Sequence, residues 1–180
     1  MLTLLQTGKR DIVPVVLLDA PGGEFWLDFQ KYVEKRLLGQ GMISPEDFSL
    51  YRLTDNVEAA VGEILTFFRV FHSMRYVKNK LVLRLKEPPT PAMMEDINCK
   101  FADILTAGEF QLTGPLPEEH DETDLSAYAR LVFRFNRRSL GRLRQLIDLM
   151  NQVVTPNSER GFLNARNEAM PAPNDSLGRP

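Results

Sequence analysis

The sequence predicts an α/β fold: the C-terminal part of a doubly wound parallel sheet, a small α+β unit of order β-α-β-β-α, and a disordered tail. An unbroken apolar run, Ile12–Leu18, lies between two stretches with helical apolar spacing, and helix, buried strand, helix is the order of doubly wound sheets. Two later runs, Lys80–Lys86 and Arg130–Asn136, alternate like half-buried antiparallel strands. From Thr155 onward, large apolar residues are scarce, so little can be buried there.

The bulk composition excludes several classes of protein. With 43% hydrophobic and 26% charged residues and a net charge of −2, the chain lacks the basic surface of a protein that coats nucleic acid. No apolar run approaches the ~18 residues of a membrane span, and the N-terminus lacks a signal-peptide pattern. Cys99 is the only cysteine, which fits a reducing cytoplasm. We therefore expect a cytoplasmic protein with no nucleic-acid or membrane partner.

The first predicted domain, residues 1–75, begins with Leu2–Gln6, which resembles the last turns of a helix. Ile12–Leu18 is short, rich in β-branched residues and closed by turn residues, which predicts a strand buried on both faces. Glu24–Leu38 has the apolar spacing of an amphipathic helix. Such a sheet needs more parallel neighbours than this chain offers, so the opening resembles the end of a larger domain.

A short helix and a short strand are expected next. Ser44 is a suitable N-cap, Pro45 fits the first helical position, and Asp47 can complete a capping box. Ser49–Leu53 is then predicted to be a strand.

A longer helix is predicted from Asn56 to about Phe71, with Asp55 as its cap. Its apolar residues form one broad stripe that must pack on something, and they are Val57, Ala60, Val61, Ile64, Leu65, Phe68 and Phe71. His72 and Arg75 follow at the expected helix end, where a cation favours the helix dipole. We interpret them as a cap and hinge between the two units, with contact to a ligand or partner as the alternative.

The second predicted domain, residues 76–154, starts near Tyr76. In its first strand, alternation puts three leucines inward and Arg84 outward. Thr90 is expected to cap a helix from Pro91 to about Thr106. A short strand at Glu109–Thr113 follows, and after it comes an acidic loop, Pro117–Asp124. After the strand Arg130–Asn136, a last helix runs from Ser139 to about Val153, and residues 155–180 are expected to be a disordered tail.

An ordered series of segments over about 150 residues resembles the LOG (lonely-guy) family, whose members have also been called lysine decarboxylase-like proteins. The segments are Leu2–Lys9, Pro14–Asp19, Phe25-Trp26, Gly41–Pro45, Thr54-Asp55, Phe71–Val77 and Asn136–Arg138. The family is Rossmann-like, and the resemblance implies a nucleoside 5′-monophosphate phosphoribohydrolase that yields free base and ribose 5-phosphate. The later segments match a longer bacterial subgroup that carries an added C-terminal unit.

The chain departs from the family at its catalytic loop. Family catalysis depends on a PGGxGTxxE motif, whose glycine loop and helix N-terminus hold the phosphate and whose Glu acts on the ribose and glycosidic bond. That motif is missing here. Pro21-Gly22-Gly23-Glu24 follows a different strand and lacks the Gly-Thr pair, so we interpret it as a strand-to-helix turn. We therefore expect a truncated gene, a misplaced start codon or a separate polypeptide that supplies the rest, and we assign no catalytic residue.

The candidate binding residues are few. Thr3 and Gln6 lie on the helix that follows the catalytic loop in the family, so the resemblance implies that they line the rim of its pocket; a solvated helix end is the alternative. No cofactor is expected. Because His72 and His120 are the only histidines and lack further ligands at fixed spacing, we expect no metal. The arginines near the last helix are interpreted as solvated or as neutralised by the acidic loop, with anion or RNA binding as the alternative. They are Arg134, Arg137, Arg138, Arg142 and Arg144.

Two hypotheses of different classes remain open. The first is a LOG-like phosphoribohydrolase, inactive alone, that takes a nucleoside monophosphate once the missing half completes it. The second is a non-catalytic interaction or regulatory module that binds a partner or that missing half. In either case the broad apolar faces need covering, so the chain by itself is expected to form a homo-oligomer, most simply a dimer, or to be poorly stable.

Overall fold

This computed structural model describes residues 1–152, and the predicted tail, residues 155–180, lies outside them. The described part is a mixed α/β fold with a two-stranded parallel sheet and a four-stranded antiparallel sheet. No helix within residues 1–152 is both long enough and apolar enough to cross a bilayer.

The parallel pair belongs to the first third of the chain. Helix α1 (Leu2–Gln6) precedes strand β1 (Val16–Leu18), and helix α2 (Phe25–Val33), continued by a π-helical turn (Glu34–Leu38), leads through a 3₁₀ segment (Pro45–Leu50) to strand β2 (Arg52–Thr54). Val16 pairs with Arg52 and Leu18 with Thr54. The predicted strand Ile12–Leu18 is therefore shortened to three residues. Leu18 is 42% exposed, because β1 has a single hydrogen-bonded neighbour within residues 1–152.

Helix α3 (Val57–Phe67) is shorter than predicted. Its N-cap is Asn56, not Asp55, because the Asn56 side chain accepts a hydrogen bond from the Ala59 amide at 2.7 Å. The helix ends before Phe71, and His72 and Arg75 lie within strand β3 (Phe71–Val77). The prediction that these two residues sit at a helix end is wrong.

Strand β3 opens the antiparallel unit. The strands that follow it are β4 (Lys80–Leu85), β5 (Leu105–Thr113) and β6 (Ala129–Phe135). Helix α4 (Pro91–Lys100) and a 3₁₀ turn (Ala102–Ile104) lie between β4 and β5, two 3₁₀ turns (Pro117–Glu119 and Thr123–Leu125) lie between β5 and β6, and helix α5 (Leu140–Gln152) comes last. The order of the strands in the sheet is β3-β4-β6-β5. The unit therefore has the order β-β-α-β-β-α. It differs from the predicted β-α-β-β-α because β3, which was not expected to be a strand, is added at its start. Thr90 caps α4 as predicted, accepting from the Met93 amide at 3.3 Å.

One face of this sheet packs on α4 and α5. The inward side chains of β4 and β6 share a buried cluster with those of the two helices: Leu81, Leu83, Leu85, Leu131, Phe133, Phe135, Ile97, Leu143, Leu146 and Ile147. The same cluster contains Leu5, Ile12 and Leu50 from the first third of the chain. The boundary between residues 1–75 and 76–154 stays a prediction, but the two segments contribute to one core.

The other face of the sheet is covered by the acidic segment that connects β5 to β6. Leu116 packs on Val77, Val82 and Val132. Arg84 was expected to point to solvent, yet it is only 6% exposed. It is covered because the carboxylate of Glu119, in that segment, pairs with its guanidinium.

Candidate functional site

Thr3 and Gln6, the two residues expected to bind substrate, line the same cavity. It has a volume of about 180 Å³ and lies between α1, α2 with its π-helical turn, and the 3₁₀ segment that precedes β2. Apolar side chains make up most of its wall, namely Leu2, Phe29, Val33, Leu37, Ile43, Phe48 and Leu50. Small-molecule sites in proteins are commonly apolar clefts with a few placed polar groups, and this cavity has that character.

Gln6 is held in place by the turn that starts the 3₁₀ segment. Its side-chain amide nitrogen donates to Oδ2 of Asp47 at 2.9 Å. The same oxygen accepts from the Ser44 backbone amide at 3.0 Å, and the capping box of Ser44 and Asp47 that the sequence predicts is present. The side-chain carbonyl oxygen of Gln6, Oε1, has no hydrogen-bond donor among the described residues. It is thus one polar acceptor that the cavity can offer to a hydroxyl group.

Tyr51 and Asp47 are cavity residues that no sequence pattern marked as binding residues. Tyr51 is 6% exposed, and its hydroxyl has no hydrogen-bond partner within the described part of the chain. Burial and, secondarily, the Glu34 carboxylate raise the pKa of the Tyr51 phenol, so the group stays a neutral donor in ordinary buffers. The sequence signal for Asp47 was its capping role. Tyr51 had none, because its place at the cavity results from tertiary packing.

Comparisons with protein-family models, with curated proteins and with solved structures found no match to this chain.

A larger cavity, of about 440 Å³, lies at the carboxyl ends of β1 and β2. The turn Pro21-Gly22-Gly23-Glu24 forms part of it, and Gly22 has a φ of 73°, which a glycine adopts without strain. The Gly22 amide donates to Asp55 Oδ2 at 3.0 Å. Asp19 accepts from the Trp26 amide at 3.2 Å. The segment is a strand-to-helix turn, as interpreted. The cavity beside it is lined by the carboxylates of Asp19, Glu24 and Asp55, and carboxylates repel a phosphate.

His72 and Arg75 are not brought to the cavity of Thr3 and Gln6, because they lie on the antiparallel sheet. The His72 ring stacks on Tyr128 with centroids 4.5 Å apart, and its Nδ1 lies 2.9 Å from the Ser73 hydroxyl. Burial first, then the nearby cations Lys86, Arg84 and Arg130, lower the pKa of His72. The ring is therefore neutral at pH 7. A role for it in ligand or partner contact stays a prediction.

Arg75 of β3 pairs with Glu122 of the acidic loop. The loop therefore neutralises a charge on the sheet, not the arginines of the last helix. Within that loop, Glu118 pairs with Lys78 at 2.7 Å. Arg142 instead pairs with Asp103 at 2.9 Å. The salt-bridged interpretation of the arginine group is therefore correct for Arg142, although its partner is not the predicted one.

Arg144 is likewise salt-bridged. It pairs with Asp148 at 2.8 Å and also with Glu63. Within residues 1–152, no three His, Cys, Asp or Glu side chains are grouped so that they could hold a metal ion.

Proposed function

We propose that this chain is part of a LOG-like nucleoside 5′-monophosphate phosphoribohydrolase, which hydrolyses the N-glycosidic bond to free base and ribose 5-phosphate. The ordered sequence resemblance to that family is the origin of the proposal. Its structural support is the unit α1-β1-α2-β2, in which two parallel strands are joined through a helix. A Rossmann-like doubly wound sheet repeats this unit, and we propose that β1 and β2 belong to such a sheet.

The observation that carries the proposal is the cavity at α1. The resemblance implies that Thr3 and Gln6 line the rim of the substrate pocket, and both line one cavity. The bond from Gln6 to Asp47 leaves the Gln6 carbonyl oxygen available, and an amide carbonyl is a suitable acceptor for a sugar hydroxyl. Because the PGGxGTxxE motif is missing from the sequence, we expect the chain alone to bind nucleotide weakly and not to hydrolyse it.

A binding and turnover experiment with AMP tests this proposal. Purified chain is incubated with AMP, and free adenine and ribose 5-phosphate are measured; a ¹⁵N–¹H NMR titration with AMP monitors binding. We expect no release, with chemical-shift changes grouped around Gln6 and Asp47. Gln6→Ala should abolish those shifts. Gln30→Ala is the matched control, because Gln30 lies on α2, outside the lining of this cavity, and bonds Glu34.

Two results would count against the proposal. Absence of any AMP-dependent shift, or equal shifts in the Gln6→Ala variant, would remove the α1 cavity as a nucleotide site. Clear turnover that is lost in Gln6→Ala or His72→Ala would show that catalytic groups lie in this chain, against the expected inactivity.

A non-catalytic interaction module is the second candidate, and a specific observation favours it. Five apolar side chains at α3 are exposed to solvent, namely Val57, Val61, Ile64, Leu65 and Phe68. Exposed apolar patches commonly mark protein–protein contacts. Sequencing the gene upstream of Met1 separates the candidates: an in-frame PGGxGTxxE segment supports the enzyme, and a stop codon without it supports the module.

A further inference from the structure

Two pairs of opposed cations lie on the outer face of the antiparallel sheet, the face that does not pack on α4 and α5. Arg84 of β4 and Arg130 of β6 are direct cross-strand partners. Lys80 and Arg134 lie four positions further along the same two strands. Residues i and i+4 of a strand share a face, and the register between the two pairs is unbroken over residues 81–85. Because opposed like charges repel, each pair calls for an anion.

The first pair shows how the protein supplies that anion. The Glu119 carboxylate accepts from Arg84 Nη2 at 2.7 Å and from Arg130 Nε at 2.9 Å. Glu122 also pairs with Arg84. Two carboxylates therefore neutralise two guanidinium groups, and both belong to the acidic segment that covers this end of the outer face.

The second pair has no such anion within residues 1–152. Neither the Lys80 ammonium nor the Arg134 guanidinium forms a hydrogen bond or an ion pair with any described residue. The hydrogen bond from Lys78 chiefly, and the charge of Lys80 more weakly, lower the pKa of Glu118. That carboxylate bonds Lys78 at 2.7 Å, so it does not bridge the second pair.

A cavity of about 280 Å³ lies beside the second pair, and both Lys80 and Arg134 line it. It forms where β5 is irregular, because β5 has three residues between Ala107 and Gln111 whereas β6 has one between their partners. Bulges of this kind are common next to active sites. Gly108, in the bulge, has a φ of 74° and nothing within 4 Å of the position of a Cβ. The two cations therefore border an open space.

We propose that this cavity binds a phosphate group between Lys80 and Arg134. A guanidinium donates two parallel hydrogen bonds to phosphate oxygens, and a lysine ammonium binds phosphate as a point charge. A phosphate group carries close to two negative charges at neutral pH, which is the charge that Glu119 and Glu122 together bring to the first pair. Gln111 lines the same cavity, and its side-chain amide is a further donor.

The expected affinity is low, because a carboxylate also lines the cavity. Glu109 is that residue, and it repels a phosphate. With two cations at an open surface against one carboxylate, we expect a dissociation constant of about 1 mM. The inference does not depend on the nucleotide proposal, because this cavity shares no lining residue with the cavity at α1.

A ¹⁵N–¹H NMR titration of the full chain with inorganic phosphate, in an otherwise phosphate-free buffer of constant ionic strength, is the first test. We expect saturable shifts grouped around Lys80, Gly108 and Arg134. Arg134→Gln should weaken phosphate binding about tenfold, because it removes the bidentate donor. Arg138→Gln is the matched control, since Arg138 is also exposed but does not line the cavity. Glu109→Gln should tighten binding about threefold by removing the repelling charge.

Acetate separates a phosphate site from a general response to anions. It carries one negative charge, so at matched ionic strength it should bind about fivefold more weakly than phosphate.

Thermal unfolding gives a second measurement that does not use NMR. A ligand that binds the native state stabilises it, so phosphate should raise the unfolding midpoint of wild type more than that of Arg134→Gln. Without phosphate, this variant should unfold at or slightly above the wild-type midpoint, because the repulsion from Lys80 is relieved.

Three results would overturn the proposal. They are a wild-type chain that shows no saturable shift with phosphate, equal phosphate binding by the Arg134→Gln and Arg138→Gln variants, and a response to acetate as strong as the response to phosphate.

Discussion

Replacing Glu119 with glutamine removes the carboxylate that bridges two opposed, buried arginines. Arg84 on β4 and Arg130 on β6 are direct cross-strand partners, and like charges in that position repel. Both are buried, at 6% and 0% exposure, and Glu119 is 3% exposed. One Glu119 oxygen accepts from Arg84 Nη2 at 2.7 Å, and the other accepts from Arg130 Nε at 2.9 Å.

The structure gives the size of the expected loss. Removing one partner of a buried ion pair leaves an uncompensated charge and costs about 3–5 kcal/mol. We expect Glu119→Gln to lie near the lower end, because Arg84 also pairs with Glu122 and Arg130 also donates to the Leu125 carbonyl at 2.9 Å. For a chain of this size, that loss lowers the thermal unfolding midpoint by about 10 °C.

Thermal and urea unfolding, followed by circular dichroism, measure this change. Glu118→Gln is the control, because Glu118 is the adjacent residue and pairs with Lys78, whose side chain is 77% exposed. Exposed pairs contribute little to stability, so this variant should unfold like wild type. Equal midpoints for the Glu119 and Glu118 variants would refute the argument that the bridged arginines are what holds the acidic segment on the sheet.

Three further predictions concern acid stability and packing. Burial would raise the pKa of Glu119, but the Leu116 amide and the two bridged arginines outweigh it and lower that pKa. The stabilisation by the Glu119 carboxylate is then present above its unfolded-state pKa and is lost as the pH falls through its folded-state pKa. Below about pH 4.5, the free energy of unfolding should therefore fall more steeply with pH in wild type than in Glu119→Gln. Asn151→Ala should cost about 2–4 kcal/mol in urea unfolding, because its buried amide bonds three backbone groups; a loss below about 1 kcal/mol would contradict this. Gly141→Ala should lower the thermal unfolding midpoint, because the new Cβ would lie 2.2 Å from the Glu46 carbonyl oxygen. Gly62→Ala should raise that midpoint, because nothing lies within 4 Å of the new Cβ and alanine favours the helix over glycine.

Local signals predicted the elements whose determinants are close in sequence. Helix α1, the capping box at Ser44, the Thr90 cap and the last helix, α5, all match expectation. Strand β3 was missed because a bulge between Phe71 and Ser73 interrupts its alternation. The buried residues of β3 recur every third position, and that spacing resembles the continuation of a helix.

The burial of Arg84 could not be predicted from its own strand. Alternation places a charged residue outward, and its partner Glu119 lies 35 residues away. The geometry of the candidate site could not be predicted from local sequence either. Thr3 and Gln6 came from the family resemblance, whereas the contact of Gln6 with Asp47 spans 41 residues and depends on how the 3₁₀ segment packs on α1.

The cavity at α1 is mechanically connected to the antiparallel sheet. A two-stranded sheet such as β1-β2 is only marginally stable by itself, and here Leu5 and Leu50 anchor the first third of the chain in the core formed by α5. Gly141 of α5 lies against the backbone of the segment that carries Asp47, and Asp47 in turn holds Gln6. A side chain added at Gly141 must therefore displace the Asp47 turn and disturb the Gln6 amide. Gly141 does not line the cavity. If the cavity binds nucleotide, Gly141→Ala should nevertheless weaken AMP binding in the NMR titration. Unchanged binding in a folded variant would show that the Asp47 turn and α5 move independently.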